Sequence, residues 1–279
     1  MKMILVRCPA KVNLFLDIKD NDEEFQFEAL HDTVNIYDEL ELAVSKKFTN
    51  KISSFGLSSD NSIDDNRNTR ILKAINVFFD YTGLNDYGVR VRLLKNIPSQ
   101  IGLGSSSSDA AGVILGLNEY FDLHLSNKEL VEIAYQVDSG VPYFLFGGYE
   151  HVMSSGRKID KEKKLRSKEY IIALGNVQVN WEIIKRSMNE VIRENMISNT
   201  TNFSSCFDKM LPQELIQIKK ILLDAKADYA SVNGFSSTVV GGFSDYHARY
   251  NALMELKKQK VKTILCKPVE GISLYKKFI

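Results

Sequence analysis

The residues from Lys95 to Gly116 (KNIPSQIGLGSSSSDAAGVILG) have the types and order of an anion site. Gly102 and Gly104 let a backbone take positive φ and approach a ligand with no Cβ in the way. Ser105, Ser106, Ser107 and Ser108 follow, and their N–H and hydroxyl groups can converge on one anion. The small-residue stretch after them reads as a helix beginning at about Ser107. The first turn of a helix has unpaired N–H groups and about half a positive charge, which suits a phosphate. Asp109 fits that first turn and offers a carboxylate to a metal. One serine suffices to cap a helix, so four behind two glycines exceed what capping requires. The loop is not a Walker A sequence, which needs Gly-Lys-Ser/Thr, and no dinucleotide G-x-G-x-x-G fits it.

The elements around this loop follow from pattern. Gly88 to Leu94 (GVRVRLL) is a strand leading into the loop. Ile4 to Arg7 and the alternating Lys11 to Lys19 (KVNLFLDIK) read as strands, as do Thr33 to Ile36 and Glu39 to Val44. Arg70 to Tyr81 has helical spacing and stops near Gly83. Ser126 with Glu129 is a capping-box signature for a helix to Gln136. After Gly147-Gly148 the composition shifts. Glu169 to Leu174 reads as a strand, Trp181 to Asn195 and Pro212 to Ala225 as helices, and Asp228 to Val240 as two strand halves around Asn233-Gly234. A long helix over Asp245 to Gln259 and a strand over Lys262 to Pro268 close the chain. Two α+β halves are expected, 1–155 and 156–279.

Bulk properties narrow the function classes. The chain has 279 residues, 44% hydrophobic and 25% charged, with a net charge of +1. That balance gives no electrostatic case for nucleic acid or an anionic membrane. The Lys-rich stretch Lys158 to Lys168 is interrupted by acids and reads as a solvated loop or hairpin. Cys8, Cys206 and Cys266 are an odd number without CxxC spacing, which argues against a disulfide framework or structural zinc. The apolar start is too short for a signal peptide, and no run approaches a membrane helix. A cytoplasmic protein is expected.

Three segments together carry a family resemblance: PAKVNLFLDI at the N-terminus, NIPSQIGLGSSSSDAAGVILGLNEYF in the middle, and SGVPYFLFGG at 139–148. They resemble the GHMP small-molecule kinases, over most of the first 150 residues. The resemblance implies a two-domain α+β fold, ribosomal-protein-S5-like at the N-terminus and ferredoxin-like at the C-terminus, with ligands in the cleft between them. It implies ATP as phosphoryl donor with Mg2+ and a small-molecule alcohol as partner, the first choice being a cytidine-bearing alcohol of non-mevalonate isoprenoid synthesis. No nucleic-acid or membrane partner is implied, and a monomer or homodimer is expected. The nucleotide would be held by Pro98, Gly102, Leu103, Gly104 and Ser105 to Ser108, with Asn68 and Lys95 at the adenine and Ser107 on the metal. Lys11 matches the lysine near the acceptor hydroxyl and transferring phosphate, where electrostatics dominate phosphoryl transfer. Asn13, Phe25, Asp109 and Gly234 fall on the substrate side.

The sequence departs from the family at three places. The family base lies in Gly-Ala-Asp-Val-Pro, whereas this chain reads Asp138-Ser139-Gly140-Val141-Pro142. Gly140 stands where the Asp belongs, and two residues of extended chain span about 6 to 7 Å, so Asp138 serves only if the backbone is rearranged. The family Gly-Tyr-His segment falls near Glu23-Glu24-Phe25, where Phe25 can stack on a base but cannot hydrogen-bond to it, and His31 lies several residues away. The family Ser-Gly-Ser-Gly loop appears as Asn233-Gly234-Phe235-Ser236-Ser237, with only Gly234 matching. Two alternatives stay open: a kinase for another acceptor (mevalonate-like, homoserine or a sugar), and a nucleotide-binding protein that has lost catalysis.

Overall fold

The computed structural model describes residues 2–21, 24–47, 49–56, 65–153, 158–161, 166–177, 211–233 and 236–278; the side chains of 16–28, 65–69, 158 and 161 lie outside the described part. Among the described residues the strands form two sheets. In the larger, β1 (Lys2–Asn21) pairs antiparallel with β2 (Glu24–Lys46) along nearly its whole length. The second half of β2 pairs with β4 (Tyr87–Lys95), which carries β3 (Lys51–Gly56) in parallel. The first half of β2 pairs with β5 (Glu150–Met153), and β5 with β6 (Lys158–Lys161). The smaller sheet has the order β10 (Lys262–Cys266), β7 (Glu169–Leu174), β9 (Thr238–Phe243), β8 (Tyr229–Val232). The last strand, β11 (Ser273–Phe278), returns to the larger sheet and pairs with β1. The residues past 155 are therefore shared between the sheets: β6 and β11 join the first, and β7 to β10 make the second.

Helices α1 (Asp65–Thr82), α2 (Ser105–Phe121), α3 (Asn127–Val137) and α4 (Val141–Phe146) bury an apolar cluster against the larger sheet, with Ile4, Leu42, Phe78, Val91, Ile114 and Phe144 at its centre. Helices α5 (Gln213–Asp224) and α6 (Tyr246–Lys258) cover the smaller sheet. A third cluster, including Val12, Ile97, Leu103, Tyr170 and Val240, joins β1 and the glycine loop to the smaller sheet. Behind it, Arg166 grips the fully buried Asp32 of β2 with Nε and Nη2 at 2.8 and 2.5 Å, and Tyr170 donates to the same carboxylate at 2.5 Å.

Several expectations change in detail. Thr33 to Ile36 and Glu39 to Val44 belong to one strand, β2. Asp38 between them resembles a breaker in sequence, but it is buried and paired with Lys95. Helix α2 begins at Ser105, two residues early, and α3 carries the expected capping box on Ser126. The run VPYFLF is a short helix, α4, opened by Pro142 in its first turn, a position that proline suits. β11, with lysines at two of its six positions, lacks the alternation that would mark it in sequence. The helix expected over Trp181 to Asn195 lies outside the described residues.

Helix α2 lies close to β1 because Gly112 and Gly116 face it. A Cβ at Gly112 would run into Cys8 Sγ and stand 3.1 Å from Leu40 Cδ1 and Val6 Cγ1. This seating fixes where the start of α2 points. Gly112→Ala gains about 1 kcal/mol of helix propensity but overpacks the core by about 1–3 kcal/mol. The net effect is a melting temperature lower by roughly 2–4 °C. Thermal unfolding of this variant at or above the wild-type temperature would show that α2 does not sit this close.

Candidate active site

The glycine loop leaves β4 at Lys95 and enters α2 at Ser105. Gly102 and Gly104 both have positive φ, 77° and 74°. Gly104 is the N-cap of α2, and no side chain caps that helix. The N–H groups of Ser107 and Ser108 go to the Gly104 carbonyl at 3.1 and 3.0 Å, so the first amides of the helix face outward without a side-chain partner. The four serines therefore do not serve as caps, and the helix start is open to an anion. A Cβ on Gly104 would lie 2.6 Å from the Phe144 ring and 3.1 Å from Lys11 Cγ, so this glycine lets Lys11 and Phe144 of α4 close on the loop.

The serines divide by role. Ser108 is fully buried and donates to the Pro9 carbonyl of β1 at 2.7 Å. Ser105 donates to Asp38 Oδ2 at 2.7 Å and accepts from Lys95. Ser106 and Ser107 carry the remaining hydroxyls. Leu103 is core, 2% exposed, and Pro98 lies partly buried where the chain leaves β4.

Beneath the loop is a buried ion triad. Lys95 Nζ lies 2.5 Å from Asp38 Oδ2 and 2.8 Å from Asp109 Oδ2, with exposures of 6%, 0% and 1% for the three residues. Asp38 Oδ1 accepts the N–H groups of Asn96 and Ile97 at 2.7 and 2.9 Å. Burial alone would lower the Lys95 ammonium, but the two carboxylates outweigh it and raise its pKa. Burial pushes Asp109 up to about 7, Lys95 opposing and Asp38 adding to the rise. Lys95 was expected at the adenine and Asp109 on substrate or metal; the structure buries both beneath the loop and pairs them through Asp109 Oδ2, while Asp109 Oδ1 has no hydrogen-bond partner among the described residues.

The smaller sheet grips the same loop from the other side. Asn233 donates to the Ile101 carbonyl from Nδ2 at 3.0 Å and accepts the Asn13 N–H at 2.9 Å. Thr238 also donates to Ile101 at 3.0 Å, and Ser231 donates to the Asn13 carbonyl at 2.8 Å. A side chain at Gly102 would collide with the Asn233 carbonyl. In sequence Asn233 is half of a turn dipeptide and opens the counterpart of the family Ser-Gly-Ser-Gly loop, and nothing local signals this contact across 132 residues.

Lys11 and Asn13 project beside the loop from β1. The β1–β2 register shifts between Pro9 and Ala10 and again between Asn13 and Phe15. Such irregularities re-aim side chains near functional sites, and proline is at home at them; Pro9 was the available signal. The Lys11 N–H bonds to the Leu103 carbonyl at 2.9 Å, and its ammonium donates to Asn13 Oδ1. Burial lowers Lys11 to about 7. His31 stands opposite Asn13 in the register, edge-on to Tyr143 at 4.9 Å. Its buried Nδ1 has no partner among the described residues. Burial and the nearby Lys11 charge hold its pKa well below the usual histidine value, against a contribution from the Leu30 backbone.

Asp138 ends α3 in extended geometry, but the chain turns at once into α4. Its Oδ1 accepts the Gly140 N–H at 3.0 Å. A Cβ built on Gly140 would lie 3.3 Å from that same Oδ1 and 3.2 Å from Ser107 Oγ. The separation expected for extended chain is thus cancelled by the turn, and the Asp138 carboxylate sits beside the place where a residue-140 side chain would begin. Phe25 and Asn68 fall in β2 and α1, but their side chains lie outside the described residues, as does Gly234.

The model of the GHMP kinases N terminal domain matches residues 69–148. The 4-diphosphocytidyl-2-C-methyl-D-erythritol kinase of Levilactobacillus brevis is 30% identical over 259 residues, covering 85% of this chain and 89% of that one. The chain belongs to the GHMP kinases. It is an ATP-dependent small-molecule kinase, and the family uses ATP, generally with Mg2+. Solved structures agree in fold. A homoserine kinase from Cytophaga hutchinsonii superposes with a TM-score of 0.73 at 18% identity, over 98% of this chain and 97% of its own. A 4-(cytidine 5'-diphospho)-2C-methyl-D-erythritol kinase does so at 0.68 and 19%, over 95% and 100%.

The Lys11 environment has a measurable consequence. With a pKa of about 7 the free amine is mostly neutral at pH 7.5. A polyphosphate at the loop raises it, since a nearby opposite charge favours the charged form, and binding then takes up on the order of half a proton. Calorimetry of Mg-ATP binding in buffers of different ionisation enthalpy should show this uptake at pH 7.5, shrinking below pH 6. Lys11→Met should abolish it. Equal uptake in the variant would place the titrating group elsewhere.

Proposed function

We propose that this kinase transfers the γ-phosphoryl group of ATP to the alcohol of 4-diphosphocytidyl-2-C-methyl-D-erythritol, in isoprenoid precursor synthesis. The observation that carries the reading is the meeting of three groups around one uncapped helix start: the Gly102 to Ser108 loop, the Lys11 amine and the Asp138 carboxylate. The named relatives support the acceptor.

In this reading the outward amides of α2 and the hydroxyls of Ser106 and Ser107 bind the phosphates. Lys11, charged by their proximity, stabilises the transferring group and the attacking oxygen. Asn13 fixes the Lys11 head. Asp138 receives the proton of the acceptor hydroxyl as its oxygen bonds to the γ-phosphorus and the bond to ADP breaks. Among the described residues no group of three acidic, histidine or cysteine side chains could hold a metal ion. The residues present still fit Mg2+, which takes few protein ligands when phosphates supply the rest; Ser107 is the ligand here, with Asp138 next to it. When bound, the ion neutralises charge on the phosphates.

The second reading, another alcohol as acceptor, is favoured by the absence of the Gly-Tyr-His segment.

Relocating the carboxylate tests the assignment. Asp138→Ala should lower kcat about 10²-fold or more. The double variant Asp138→Ala with Gly140→Asp should regain at least a tenth of the activity, because a side chain on residue 140 begins beside the place where the Asp138 carboxylate ends. Gly140→Asp alone should be slower than wild type, since its Cβ crowds Ser107 and Asp138. ADP release would be measured with the cytidine compound beside mevalonate, homoserine and galactose. Release with one of the other three alone would replace the acceptor and keep the kinase. Full activity of Asp138→Ala would remove Asp138 from the chemistry.

A further inference from the structure

One side chain joins Asp138 to the phosphate loop, and sequence reading gave it no role beyond opening a helix. Arg70, on the second turn of α1, donates from Nη1 to Ser106 Oγ at 2.7 Å. Its Nε and Nη2 both donate to Asp138 Oδ2, at 3.1 and 3.0 Å. The other oxygen, Oδ1, is the one held by the Gly140 N–H. Both carboxylate oxygens are therefore fixed, and a Cβ built on Gly140 would have Oδ1 at 3.3 Å and Ser107 Oγ at 3.2 Å. Three residues along the same helix face, Lys73 donates to the Val137 carbonyl at 2.8 Å. Helix α1 is thus anchored at the residue before Asp138, which sets the reach of Arg70.

We propose that Arg70 is a positioning residue for phosphoryl transfer: it orients the Asp138 carboxylate toward the helix start, in the place left by glycine at 140. The proposal rests on the reading of Asp138 as the acceptor-side carboxylate. A carboxylate borne on residue 140 would be held by its own short stem, whereas one borne on residue 138 must be folded back over its own turn. A single Gly140 N–H leaves that carboxylate free to swing about the bond it makes; the guanidinium fork on the other oxygen removes the freedom. Stability is a poor explanation for the pair, because its side chains are 40% and 32% exposed and ion pairs that open to water contribute little. The fork also cannot be supplied by lysine, whose ammonium is a point charge without planar geometry.

The test compares wild type, Arg70→Ala, Arg70→Lys, Asp138→Ala and the Arg70→Ala/Asp138→Ala double variant. Transfer would be measured from Mg-ATP to the cytidine compound, mevalonate, homoserine or galactose, whichever releases ADP, and to water if none does. Arg70→Ala should lower kcat about 10- to 100-fold, change KM for ATP less than about threefold, and leave the melting temperature within about 2 °C of wild type. Arg70→Lys should recover little of the loss. The double variant should be no slower than Asp138→Ala alone, because both changes disable one unit. Wild-type kcat in Arg70→Ala with an impaired Asp138→Ala would overturn the proposal and leave Asp138 in place. So would additive losses, or a raised KM for ATP at unchanged kcat. Wild-type kcat in Asp138→Ala would instead overturn the underlying reading.

Discussion

The site depends on one buried carboxylate. Asp38 receives the N–H groups of Asn96 and Ile97 where the loop leaves β4, and the hydroxyl of Ser105 where it enters α2. Both ends of a long glycine loop are therefore held at the same two oxygen atoms. Lys95 pairs with that carboxylate and with the neighbouring Asp109, which burial pushes up to about 7. Charges buried this deeply are tolerated only as a set: removing one member leaves a bare charge in an apolar interior, at a cost of about 3–5 kcal/mol. The loop can thus have glycines at its crest and no capping side chain, because its geometry is imposed from beneath.

The remaining contacts act on the same backbone from other directions. The smaller sheet holds Ile101 through Asn233 and Thr238, and Asn233 also receives the N–H of Asn13. One asparagine therefore ties the glycine loop to the strand that carries Lys11. Gly112 and Gly116 set the depth of α2 on β1, so the start of the helix and the Lys11 amine are placed by a common contact. Electrostatic stabilisation of phosphoryl transfer works through groups fixed before reaction, and each of these contacts serves that fixing.

The loop was legible in sequence because glycines and serines in a row carry their own chemistry, whereas Lys11 and Asn13 were singled out only through the family resemblance, since an alternating strand behind a proline reads by itself as structure. Asp38, Arg70 and Asn233 were not, because each acts across many residues on a backbone atom or on another side chain. Lys95 and Asp109 were noticed for their position beside the loop, but which way a side chain turns at the edge of a core depends on what lies underneath, and Asp38 decided it. Asp138 was expected to serve only if the backbone between it and Gly140 departs from extended geometry, and the chain does fold there into α4. The two sheets were foreseen as halves, but β11 returns to β1 with a pattern half exposed and rich in lysine, which carries no signal of a partner so distant in the chain.

The most direct test of the account is amide hydrogen exchange with and without Mg-ATP. The central claim is that the uncapped start of α2 is the phosphate site. Nucleotide should then slow exchange at the amides of Gly102 to Ser106, with smaller effects at the strand bearing Lys11. Protection elsewhere, with the Gly102 to Ser106 amides unchanged at saturating nucleotide, would contradict it.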